Sequence, residues 1–138
     1  MPYSIVTSSY AEWRPDMGAP IRITLGTPKF IAYELAGMVS ALAPDRRIFN
    51  LPGLEFTRAY NRQLDLVGAP RISAMLDAVM DSRSESRAVL LCFEKSFAPG
   101  FDCHRRDFAK WWERRTGENI PEASGRLEVT HAVQGTLF

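Results

Sequence analysis

Cys92, Glu94, Cys103, His104 and Arg105 fall within one fourteen-residue stretch. A cysteine thiolate is both a nucleophile and a metal ligand. A carboxylate or an imidazole can move protons near neutral pH. A guanidinium holds anions through paired N–H donors. The stretch therefore offers nucleophilic, acid–base, anion-binding or metal chemistry, provided its two halves meet in space.

The elements around it favour that meeting. "RAVLLCF" (87–93) is nearly all apolar after Arg87 and reads as a central strand buried on both faces. "CHRRDFAKWWERRTG" (103–117) reads as a helix stopped by Gly117. The loop between them contains Pro99 and Gly100 and is able to fold the helix start back onto the strand end. In open α/β sheets, ligands bind beyond the carboxyl ends of the strands. The free N–H groups and positive dipole end of a helix start also attract anions.

Helical phase assigns the side chains. At about 100° per residue, Phe108, Trp111 and Trp112 define the inward face, with His104 and Arg105 on it. Arg106, Lys110 and Arg114 fall on the opposite face, where solvent is expected. Cys103, at a helix start, is the better nucleophile candidate. Cys92 sits in an apolar strand, where burial keeps it a thiol. Glu94 is the candidate acid or base, and Arg105 the anion holder. His104 reads either as a base or ligand, or as a core histidine bonded to a backbone carbonyl. Glu94 and Arg105 also read as a structural ion pair tying strand to helix in the resting state, able to open to a ligand.

Zinc is the lesser alternative. It would draw on Cys92, Cys103 and His104, with Glu94 or His131 as a fourth ligand. No Cys-x-x-Cys or His-x-x-x-His spacing is present, and consecutive helical positions diverge by about 100°. No residue is therefore assigned to a metal. A Cys92–Cys103 disulfide would be regulatory in a reducing compartment.

Elsewhere, "PYSIVTSS" (2–9) and "IRITLG" (21–26) read as strands, and "RRIFNL" (46–51) as a short one. Helical spacing marks 27–44, 54–67 and 70–82. "RLEVTHAV" (126–133) reads as a final edge strand. Ser8 and Tyr10 follow the first strand and either line the pocket or form a turn. Gly26-Thr27-Pro28, flanked by Arg22 and Lys29, could offer N–H groups to an anion. Trp13 lies in a Pro/Gly loop and is the candidate for an exposed ring. The alternation predicts an α/β three-layer sandwich, with a mainly parallel sheet of about 4–5 strands and helices on both faces.

The 138 residues suit a single domain, with a core at about 3–122 and a C-terminal extension at 123–138. Net charge is +1, with 46% hydrophobic and 24% charged residues. This balance gives no overall nucleic-acid or membrane signature. No apolar run reaches a membrane span, and the start lacks a secretory pattern, so a cytoplasmic location is expected.

The motif residues Leu90, Leu91, Cys92 and Glu94, then Cys103, His104 and Arg105, resemble the family catalogued as domain of unknown function 488. That family's pattern is Leu-Leu-Cys-x-Glu ending a strand and Cys-His-Arg opening a helix. The likeness extends more loosely over about residues 3–122, and the loop between Glu94 and Cys103 is longer than the family's usual spacing. The resemblance implies a compact α/β domain and no established reaction. The expected function is binding, and plausibly processing, of a small anionic ligand such as a nucleotide or nucleic-acid component. The alternative is a non-catalytic interaction module in which the polar cluster is structural.

Overall fold

β4 (Arg87–Cys92) has strand partners on both edges, and every residue after Arg87 is buried. β1 (Ser4–Ser9) pairs with one edge of it and β2 (Ala19–Arg22) with the other. β3 (Gly37–Met38) adds outside β2. The order is β1-β4-β2-β3, and every pair is parallel. This is the expected α/β architecture with a parallel sheet. The computed structural model describes residues 3–93 and 103–123. The expected strand at 126–133 lies outside them. Among the described residues, no helix is long and apolar enough to cross a membrane.

Pleating sends alternate residues of β4 to opposite faces. Ala88, Leu90 and Cys92 enter one core, and Val89 and Leu91 enter a second. The first core is closed by α1 (Gly53–Val67), α2 (Ala69–Met80) and α3 (His104–Thr116). Tyr60 and Leu64 of α1, Ile72, Leu76 and Met80 of α2, and Phe108, Trp111 and Trp112 of α3 all pack into it. Their spacing in the chain places them on one face of each helix, and that face is the buried one. The second core is filled by Tyr10 and Met17, with Trp13, Ile31, Tyr33 and Leu35 against them. Among the described residues, this outer layer consists of irregular chain and a single 3₁₀ turn at Pro15–Met17.

Three local expectations give way to tertiary structure. Residues 27–44 do not form an α-helix; their helical backbone is one 3₁₀ turn at Ser40–Leu42. Ile31 and Leu35 pack in the second core, whereas Val39 and Leu42 belong to the first. One helical stripe cannot serve opposite faces of a sheet. β3 also takes up the backbone here: Ala36 N–H bonds Pro20 O at 2.7 Å, and Val39 N–H bonds Arg22 O at 3.0 Å. Gly37 fits because its backbone runs against Val79, where a Cβ would meet Cγ1 at 3.0 Å.

Residues 46–50 are turns rather than a strand. Asp45 nucleates them, its carboxylate accepting from the Arg47 N–H at 2.8 Å. The second strand occupies Ala19–Arg22 rather than 21–26. Beyond it, Arg22 turns back to donate from Nε to Thr24 O at 2.9 Å and from Nη2 to Leu25 O. Arg22, which flanks Gly26-Thr27-Pro28, is thus engaged by these two carbonyls.

Candidate functional site

α3 opens at His104 because Cys103 is its N-cap. Cys103 has extended backbone, φ −67° and ψ 150°, and its carbonyl accepts the Arg106 N–H at 2.9 Å. It therefore stands outside the helix proper. The 100° divergence expected between positions 103 and 104 does not apply, and the two side chains turn to the same place. β4 ends there too, delivering Cys92 on the face that carries the helices.

The three side chains converge. Cys92 Sγ lies 3.4 Å from Nδ1 and 3.6 Å from Nε2 of His104. Cys103 Sγ lies 3.9 Å from the same Nδ1. One donor atom from each residue falls within 4.8 Å of the others, and all three residues are buried. His104 Nε2 is 2.7 Å from Ile23 O. A carbonyl only accepts, so Nε2 carries the proton and Nδ1 is the unprotonated nitrogen, with the Cys92 sulfur nearly equidistant from the two. Tyr60 closes one side, its ring edge-on to the imidazole at 5.5 Å. Neither cysteine forms a disulfide. Burial pushes the Cys92 thiol well above its ordinary pKa, and the neighbouring Cys103 adds to the rise. The charge and backbone N–H of Arg105 oppose it.

Arg105 is almost wholly enclosed, with its side chain 3% exposed. Its carboxylate partner is Glu122. Nη2 donates to Oε2 at 2.8 Å, and Nε to Oε1 and Oε2 at 3.1 and 3.2 Å. Burial opposes the charge, but the hydrogen bonds and charge of Glu122 outweigh it and raise the guanidinium pKa. Among the described residues, Arg105 Nη1 is buried with no hydrogen-bond partner.

Glu122 is positioned by backbone pairing. Thr7 N–H donates to Pro121 O at 3.0 Å, and Ala123 N–H to Thr7 O at 2.7 Å, extending the sheet beside β1. Thr7 Oγ1 donates to Glu122 Oε1 at 2.6 Å and accepts from Arg106 Nη1 at 2.8 Å. Arg106 also donates to Ile120 O at 3.1 Å. The solvated fate expected for Arg106 is thus corrected. Its long stem lets a residue on the outer flank of α3 fold back onto β1. Lys110 and Arg114 are exposed as expected.

Sequence reasoning passed over Glu122 and Thr7. The available cue for Thr7 was alternation with Ile5, which points toward the helices, but Val6 is equally apolar and hides the phase. Glu122 had no cue beyond following Pro121. Glu94 and His131 lie outside the described residues. Ser8 alternates onto the face of Val6, and its Oγ is buried without a hydrogen-bond partner among the described residues. Tyr10 is buried in the second core, with its hydroxyl 2.6 Å from Thr24 Oγ1. Trp13 is not an exposed ring: it packs 4.4 Å from Tyr33 and donates from Nε1 to Gly18 O at 3.1 Å.

The chain matches no family model, no curated protein and no solved structure.

Proposed function

We propose that the β4–α3 junction binds a small anionic molecule, a nucleotide or a nucleic-acid component. The observation that carries this reading is Arg105: a buried guanidinium at a helix start with Nη1 unpartnered among the described residues. A buried N–H donor without a partner costs free energy, which a bound oxyanion would recover. The neighbouring cation, Arg106, supports the same reading. In its enzymatic form, Cys103 is the nucleophile and Glu94 the acid or base. Membership of the family catalogued as domain of unknown function 488 belongs to the same proposal. Its support is the Cys92, Cys103, His104 and Arg105 pattern.

The second reading, a non-catalytic module, is favoured by the Arg105–Glu122 pair, which already ties α3 to the segment after it. Thermal-shift titration with inorganic phosphate, nucleoside monophosphates and short oligonucleotides separates the two. A melting temperature that climbs with ligand concentration, and does so less in Arg105→Lys, is expected. No shift with any of them, together with both thiols unreactive until unfolding, would leave the structural module standing.

A further inference from the structure

We propose that Cys92, Cys103 and His104 form a zinc-binding site. The inference rests on donor geometry and stands independently of the anion reading. In a tetrahedral zinc site, bond lengths of about 2.3 Å to sulfur and 2.0–2.1 Å to nitrogen put sulfur and nitrogen about 3.6 Å apart. The two sulfur–nitrogen separations to Nδ1, 3.4 and 3.9 Å, lie on either side of that value; the Cys92 sulfur also lies 3.6 Å from Nε2, so its thiol swings toward the Nδ1 edge of the ring as the ion enters. All three donors already fall within 4.8 Å of one another.

The histidine is set up for this role. Its Nε2–H is held by Ile23 O at 2.7 Å, the outer hydrogen bond that zinc-ligating histidines make. Nδ1 is left as the free donor. The sulfur-rich set selects a soft ion over calcium or magnesium. Charge closes as well. Zinc displaces one proton from each thiol, and two thiolates, a neutral imidazole and Zn²⁺ sum to zero. A neutral cluster suits a buried place where a lone thiolate would be costly. Among the described residues no fourth protein donor joins the three.

The cysteines come from different elements, which is why spacing hides the set. Cys92 ends β4, and Cys103 caps α3.

The test is titration of the reduced full-length protein with Zn²⁺ and Co²⁺. Expected results are one ion per chain, two protons released per zinc in weak buffer, and a thiolate-to-cobalt charge-transfer band. Cys103→Ser is the informative variant, because serine is a good N-cap and should keep α3 folded. It should bind zinc at least about 100-fold more weakly, since even an outer partner of a ligand is worth 10–100-fold. Circular dichroism checks its fold, and His104→Gln provides a second variant should Cys103→Ser unfold. Absence of stoichiometric binding by the parent, or equal binding by a folded Cys103→Ser or His104→Gln protein, would overturn the site. Phosphate or nucleotide binding that persists in zinc-free protein leaves the anion reading intact in either case.

Discussion

His104 Nε2 and the carbonyl oxygen of Ile23 stand 2.7 Å apart, joining the first turn of α3 to the chain just beyond β2. This bond fixes one tautomer and leaves Nδ1 as the unprotonated nitrogen. In metal-free protein, long-range nitrogen–proton NMR should find the hydrogen on Nε2 and none on Nδ1. A spectrum with Nδ1 protonated and Nε2 bare would contradict the geometry.

The Arg105–Glu122 pair should matter more for stability than a surface ion pair. Glu122→Ala leaves a buried guanidinium without its carboxylate, at a cost of about 2–3 kcal/mol. Thr7→Val removes a single hydroxyl from the same network and should cost about 1 kcal/mol. The two changes share a partner, so their sum should exceed the cost of the double variant. Urea unfolding midpoints measure all three.

Two glycines should respond in opposite ways to alanine. Gly18 has φ 131°, and a Cβ there would stand 2.4 Å from Arg87 O, at the start of β4. Gly18→Ala should cost about 3 kcal/mol or more, through both strain and clash. Gly26 has no heavy atom within 4 Å of a built Cβ. Gly26→Ala should be neutral or stabilising by up to about 1 kcal/mol, because it restricts the unfolded chain. Thermal melts of the two variants would settle the contrast.

All four tyrosines have raised pKa values, with burial as the first cause in each: Tyr3, Tyr10, Tyr33 (to about 12) and Tyr60. The folded state disfavours tyrosinate, whereas the unfolded chain ionises near the ordinary value of about 10. Stability from these groups is therefore complete below that pH and is lost as pH rises above it. Ultraviolet titration of the native protein should show almost no tyrosinate at pH 10. An early rise in absorbance accounting for one or more tyrosines would count against the burial.

Much of the architecture was legible in the chain. An apolar run such as 88–92 has few solutions other than a strand covered on both faces. The periodic stripes at Tyr60 and Leu64, at Ile72, Leu76 and Met80, and at Phe108, Trp111 and Trp112 each mark one buried helix face. Period reports burial on one side of one element, and in these elements that was the governing condition. Residues 27–44 show where the rule ends. Ile31 and Leu35 serve one core and Val39 and Leu42 the other. A helical spacing arose there from two separate packing demands.

The sequence by itself determined which chemistry is present: two thiols, an imidazole and an inward guanidinium at a strand–helix junction. Only the tertiary structure decided their partners. Cys103 as an N-cap lies outside the helical phase, so it can share a point with His104. Arg105 found Glu122 because a parallel bridge beside β1 carries that carboxylate to it. Local periodicity fixes directions within one element. Contacts between elements depend on strand register and backbone pairing, which arise only when distant segments come together.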